Sequence, residues 1–390
     1  MPDSFTVTSS QSWFSRVVGS IGRVFVGILL VLVAFPLLWW NEGRAVKTAR
    51  GLSEGASAVV QVPADHVDAA HDGKLVYLTG QATVSGTVTD PEFAVSANAI
   101  KLVRTVEMFQ WQEKQKSEKR KKLGGGEETT TTYTYETAWE SHAIDSSSFK
   151  QPAGHTNPGA LPWNSRTFTA GTVTLGAFTL SPAVLALIDQ REDRRIDDGD
   201  ARSLPQGVDV TVSDGAFYKS RTPQSPQVGD VRISYQVVKP LVVSLVAVQQ
   251  GTSFEAFHAT SGTSVLLLQP GVVSAAQMFK AAAAENTMWT WILRGAGFLL
   301  MLIGVALVLG PLAVVGSVIP FLGTLLSAGI GVVAFLIALG LSLVTIALAW
   351  FVYRPLLSLA LLAVAAGALI LVLMRHRGAK AAGQPAGAAP

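Results

Sequence analysis

The chain has 390 residues, 49% of them hydrophobic and only 15% charged, and the apolar excess is gathered at its two ends. That distribution excludes an ordinary soluble enzyme and indicates a membrane protein. The net charge of +3 is spread along the chain, which offers no nucleic-acid surface, and the absence of cysteine removes disulfides, thiol catalysis and Cys-ligated metals.

Residues 1–20 read as an N-terminal tail. A bilayer core of about 30 Å takes roughly 20 apolar residues of helix. Residues 21–40 supply the first transmembrane helix, with Arg23 close enough to its end to snorkel. The run is too long for a cleavable signal peptide and ends in bulky Trp39 and Trp40, so it reads as a retained signal anchor.

From 45 to 284 the composition shifts to Thr, Val, Ser, Gly and Pro, and apolar residues recur with period two. This is a β-rich domain outside the membrane. Strands are expected at 74–86, 99–114, 131–144, 165–178, 230–238 and 241–251. Helices are expected at 181–189, with Ser181 as N-cap and Pro182 at the first helical position, and at 274–291, leading into the second span. The second and third strands make a long hairpin, with Tyr133, Tyr135, Thr137 and Trp139 on one face. Between them "EKQKSEKRKKLGGGEE" (113–128) carries six basic residues and three glycines. A like-charge block reads first as a solvated tip. The sharper reading places Lys119, Arg120, Lys121 and Lys122 on anionic lipid headgroups.

Residues 295–353 contain no Asp, Glu, Lys, Arg or His, enough for two further spans, at 292–312 and 324–351. Gly310, Pro311, Pro320 and Gly323 offer the break between them. A fourth span at 356–374 is set off by Arg354 and Pro355, and residues 375–390 form a basic, then Ala/Gly-rich, tail expected to be disordered. The fold class is therefore an α+β membrane protein with four transmembrane helices, one N-terminal and three C-terminal, and a large β-rich domain between the first and second.

Basic residues tie as a guide to orientation, since Arg16, Arg23, Arg375, Arg377 and Lys380 flank one side while Arg44, Lys47, Arg50, Arg294 and Arg354 flank the other. Aromatic residues say more. With four spans, Trp39, Trp40, Trp289, Trp291, Trp350 and Tyr353 all fall at the interface facing the β-rich domain. Glu42, Arg44, Arg294 and Arg354 lie at the same level. A lone carboxylate or guanidinium is costly there, so these four are expected to form an ion-pair clamp between the first and later spans. The competing reading has the arginines snorkel to lipid phosphates. On the third span Gly323, Ser327 and Gly331 recur at four-residue spacing, a small-residue face for close helix packing within one bundle or between protomers.

The ordered motifs "NEGRAVKTARGLSEG", "VEMFQWQE", "YTYETAWESHAIDSSSFKQPAGHTNP", "SPQVGDVRISY", "TSGTSVLLLQPG" and "FVYRPL" resemble the transmembrane protein 43 family, also called LUMA, from about Gly22 to Leu373. The resemblance implies a four-span protein whose middle domain faces the lumen. In animals it implies a self-associating membrane organiser of the endoplasmic reticulum and inner nuclear envelope that binds lamins and emerin. The Ala/Gly-rich, Cys-free composition looks like that of a bacterial member, to which those partners do not carry over. The localisation expected for a bacterial member is the cytoplasmic membrane, with the large domain outside the cytoplasm; for a eukaryotic one it is the endoplasmic reticulum and inner nuclear membrane, with the domain lumenal. The partners expected are membrane lipids, a second copy of the chain and other membrane proteins.

Chemistry is sparse. "GLSEG" (51–55) matches G-x-S-x-G, but a nucleophile elbow needs a strand before Ser53 and a helix after it. His66, His71, His142, His155 and His258 show no metal-ligand spacing, and no phosphate-binding glycine motif is present. His155 reads as a residue that fixes a turn through the backbone or Asn157. No catalytic residue, metal or cofactor is expected. The function expected is a membrane scaffold that binds lipid, itself or other envelope proteins; the alternative is an enzyme acting on envelope lipid through Ser53 or His155.

Overall fold

The computed structural model describes residues 3–122, 125–315, 320–356 and 358–360, and the side chains of these apart from Lys121 and 320–327. The fourth expected span and the C-terminal tail fall almost wholly outside the described residues. The chain divides into two units, one made of residues 1–11, 51–122 and 127–283, the other of 12–50, 123–126 and 284–390. Three helices are long and apolar enough to cross a membrane among the described residues: α1 (Trp13–Ala58), α2 (Ala275–Val315) and α3 (Pro320–Tyr353). One is N-terminal, two are C-terminal, and the β-rich unit is drawn mainly from the chain between the first and second.

Two boundaries differ from the sequence reading, each for a local reason. The N-terminal residues are not a plain tail, because Asp3–Gln11 forms a strand, β1, and α1 begins at Trp13. At its other end α1 runs past 45, where the β-rich domain was expected to begin, to Ala58. The segment "AVKTARGLSEGASA" is rich in Ala, Lys, Arg, Leu and Glu, all good helix formers. Its last turns also find packing: a Cβ on Gly55 would sit 3.1 Å from the Phe279 ring, and Leu52, Leu75, Tyr77, Val246, Met278 and Phe279 share one buried cluster. The break between the second and third spans comes after Pro311, which stays inside α2, and α3 starts on Pro320, where a missing N–H costs no helical bond.

The β-rich unit holds two larger sheets. In the eight-stranded one, β1 lies on β4 (Glu127–Glu140), β4 on β3 (Lys101–Lys121), β3 on β5 (Val231–Val238), and short strands at 216–219 and 211–213 complete the path. The seven-stranded one centres on β2 (Leu75–Val84) and β6 (Leu241–Gln250), which pair antiparallel from Leu75↔Val248 to Ala82↔Leu241. The stretch expected as one strand at 165–178 is three short strands, because Gly171 and Gly176 interrupt it. Each sheet has its own apolar cluster, Val76, Leu78, Phe178 and Phe254 for one and Phe93, Leu102, Val106, Phe217 and Ile233 for the other. Ser181 sits at the N-cap of Pro182–Leu187 as expected, yet its hydroxyl makes no cap bond.

One buried charge organises the eight-stranded sheet. Arg104 of β3 is 1% exposed, and its Nη1 donates to both carboxylate oxygens of Asp90, at 3.0 and 2.8 Å. Its Nε donates to the Asn164 carbonyl at 3.0 Å, its Nη2 to Glu92, and the Phe93 and Phe168 rings flank the guanidinium. Tyr235 of β5 donates to the same Asp90 at 2.7 Å. The buried guanidinium of Arg104 and the buried carboxylate of Asp90 are thus both paired within the protein.

In the helical unit α1 and α2 pack antiparallel, through a residue row that runs Gly27, Ala34, Leu38, Asn41 and Glu42 on α1. A Cβ on Gly27 would stand 2.6 Å from the carbonyl of Gly304, and one on Gly304 would stand 2.8 Å from the carbonyl of Gly27, so the two backbones touch where only glycine fits. On α3 the buried face is Ala334, Ala338, Ser342, Thr345 and Ala349. It is a small-residue face, and of the three residues expected to form one only Gly331 can be compared with it. Gly331 is exposed with nothing near its Cβ position, and the side chains of residues 323 and 327 lie outside the described residues.

Candidate functional site

At residue 41 α1 leaves its apolar stretch, and its next turn carries polar side chains into the helical unit. Asn41 and Glu42 are both fully buried, on the face that meets α2. Glu42 takes a two-pronged contact from Arg294 of α2, with Nε donating to one carboxylate oxygen at 2.6 Å and Nη2 to the other at 2.9 Å. Trp350 of α3 donates its indole N–H to the second oxygen at 2.8 Å. The Arg294 guanidinium also lies 4.8 Å from the Trp291 ring and 5.7 Å from the Trp350 ring. A carboxylate with no access to water is thereby given three donors and a fixed partner charge, which offsets its desolvation.

Two residues on, Arg44 builds a second joint, whose partners are uncharged. Its guanidinium donates to Asn286 at 3.0 Å, to Thr290 at 3.1 Å and to Asn41 at 3.3 Å. Asn41 and Asn286 reach across in turn to backbone carbonyls of Thr290 and Ala45. Gly43 lies between the two joints because a Cβ there would meet the Tyr353 ring at 2.7 Å.

Of the four expected clamp residues, then, Glu42 and Arg294 meet, and Arg44 stands beside them with amide and hydroxyl partners. Among the described residues no ion pair joins Arg354 to Glu42. Its expected place is taken by Trp350. The aromatic residues divide likewise: Trp39, Trp350 and Tyr353 are half-buried, with Trp39 edge-on to Tyr353 at 6.1 Å, while Trp40, Trp289 and Trp291 are exposed. An indole donor was the participant that charge counting passed over. The cue available was Trp350, four residues from Arg354 and so one turn away on the same helix face.

The other candidates fall elsewhere. On the hairpin, Lys119 pairs with Glu127 at 3.6 Å, Lys122 pairs with Glu128, and Arg120 stands opposite Glu128 in register. The hydrogen bond and charge of Lys122 hold the Glu128 carboxyl below its usual range. Lys121 stands opposite Glu127, its side chain outside the described residues. Ser53 lies within α1, exposed on a helical turn, so the strand-to-helix corner of a nucleophile elbow is not formed. His155 is 2% exposed, stacked 3.9 Å from Tyr135 and edge-on to Trp111 at 4.8 Å. Its Nδ1 pairs with the Gln151 carbonyl at 2.9 Å and its Nε2 faces Asp3 of β1 at 3.2 Å. Asn157, its expected partner, bonds to Trp111 and Ile144 instead.

An open groove of about 410 Å³ lies over β3 and β5 with three arginines in its walls, yet each is already matched: Arg194 by Asp200, Arg195 by Asp214 and Arg232 by Glu107, at 2.8, 3.2 and 2.7 Å. No group of three or more His, Asp or Glu placed to hold a metal occurs among the described residues.

The chain as a whole is similar to known proteins. The profile of the transmembrane protein 43 family matches residues 108–355, which include Arg294 and Trp350. Transmembrane protein 43 of Homo sapiens is 34% identical over 364 residues, covering 90% of each chain, and that of Mus musculus is 35% identical over 362 residues, covering 90% of this chain and 89% of its own. The Drosophila melanogaster homolog is 29% identical over 343 residues, covering 86% and 90%. No solved structure matches. A profile match over more than half of the sequence, with relatives above 30% identity along nearly its full length, places this chain in the transmembrane protein 43 family.

Proposed function

We propose that this protein is a multi-pass membrane scaffold whose β-rich domain, outside the cytoplasm, binds lipid, itself or other envelope proteins. The observation that supports this reading is the fully buried Glu42, joined to Arg294 and Trp350 on two other helices. Three helices tied by one carboxylate, two of them packed backbone to backbone at Gly27 and Gly304, form a base suited to holding surfaces in fixed positions. Ionisable groups are kept inside a bilayer where they serve a pathway. Here the buried ionisable group is spent on joining helices.

A mass measurement of the intact protein in mild detergent tests the proposal by reading oligomeric state, bound lipid and bound protein together. Stable oligomers or retained lipid support a scaffold. A lipid-free monomer without protein partners counts against it, and chemical turnover of co-purified lipid would favour the enzyme alternative.

A further inference from the structure

β1 and α1 cannot keep their roles at once in a single inserted chain. A helix that crosses a bilayer once leaves its ends on opposite faces. Strand β1 precedes α1 with only Ser12 between them, whereas β3 and β4 follow its other end. Yet β1 pairs with β4 along its whole length, from Asp3↔Tyr135 to Gln11↔Glu127. The polar β3–β4 hairpin cannot run through lipid to meet it, because an open strand edge would leave backbone donors unsatisfied there. The contact of Arg16 with the Gly125 carbonyl falls under the same constraint. An α1 that crosses the bilayer therefore separates β1 from the hairpin and leaves the outer edge of β4 to another strand.

That edge is shaped to be re-covered. β1 buries none of its side chains fully; it is held by the backbone ladder, a Thr6–Thr132 hydroxyl contact and the Asp3–His155 pair. Most of this seat is backbone ladder, which any extended segment can supply. A long strand edge with its N–H and C=O groups unpaired is a template for strand addition. At one end His155, buried between Tyr135 and Trp111 with Nδ1 already bound to a carbonyl, directs Nε2 at the position of the incoming carboxylate.

We propose that the outer edge of β4 is a strand-accepting site for an extended segment of a partner protein, acidic at the residue that meets His155, and that β1 occupies it only while α1 is outside the bilayer. This rests on the scaffold reading and specifies one of its contacts.

The test uses the Cys-free full chain. A Thr6→Cys, Thr132→Cys variant, with Ser9→Cys, Thr129→Cys as a second pair, is translated without and with vesicles of phosphatidylethanolamine and phosphatidylglycerol. Disulfide formation is expected without vesicles and is expected to vanish in the inserted fraction. The inserted wild-type protein is then titrated with a synthetic peptide of residues 3–11. Saturable binding is expected, weaker by roughly three- to tenfold for the Asp3→Ala peptide, which lacks the charged partner of His155. Binding should be abolished for the Val7→Pro peptide, which cannot form the ladder. A cross-link that persists in the inserted fraction overturns the proposal, as does failure of the inserted protein to bind the peptide. Either result leaves the scaffold reading to the mass measurement.

Discussion

Glu42 and Arg294 stand 252 residues apart in sequence and meet side-on, with nitrogen–oxygen distances of 2.6 and 2.9 Å, at the level where α1 passes from apolar to polar sequence. Glu42→Gln should therefore lower the stability of the detergent-solubilised protein by about 3 kcal/mol, because it leaves a desolvated guanidinium without its charge partner. Glu42→Gln combined with Arg294→Gln should lose clearly less than the sum of the single changes, whereas Glu42→Gln with Arg354→Gln should be close to additive. Additive losses for Glu42 and Arg294 would mean that the contact contributes nothing.

The α1–α2 crossing gives a sharper steric test. Gly27→Ala puts a methyl 2.6 Å from a backbone oxygen that cannot move away alone, while Gly22→Ala meets nothing within 4 Å. Thermal unfolding should show the first change destabilising by about 1–3 kcal/mol. The second should be neutral or slightly stabilising, since alanine is the better helix former.

Alkaline pH should reveal the buried cluster of the β-rich unit. Burial pushes the Tyr235 hydroxyl well above its ordinary range, and its bond to the Asp90 carboxylate adds to that. A proton retained by the folded state beyond the point where the unfolded chain releases it gives stability that is complete below about pH 10 and lost as pH rises further. Denaturant unfolding should accordingly lose up to about 1.4 kcal/mol per pH unit from this group above pH 10. Tyr235→Phe should flatten that slope and cost about 1–2 kcal/mol at neutral pH, where Asp90 loses one of its donors. An unchanged slope would show that Tyr235 titrates alike in both states.

Sidedness is readable in a chain without cysteine. A cysteine replacing Gln206, exposed in a loop of the β-rich unit, should react with an impermeant maleimide in intact cells. One replacing Ser10 should react only after the membrane is opened. The reverse pattern would place the domain in the cytoplasm.

What the sequence determined by itself was whatever depends on neighbours within a turn or two. An unbroken apolar run specifies a spanning helix wherever it lies, and period-two alternation at 74–86, 230–238 and 241–251 specifies strands that form within a few residues of those limits. The choice of partners was decided by the tertiary structure. Glu42 selects Arg294 and Trp350 over Arg354 because the rotation of α3 turns Trp350 toward α1, and Arg44 selects Asn286 and Thr290 because the antiparallel register with α2 brings them level. Local pattern carries no information on the rotation of one helix against another, since many rotations bury an apolar stripe equally well. For β1 the sequence was silent altogether. "DSFTVTSSQ" has no face to bury, and it becomes a strand only because β4 offers an unpaired backbone edge, a property of the assembled sheet that no residue within β1 encodes.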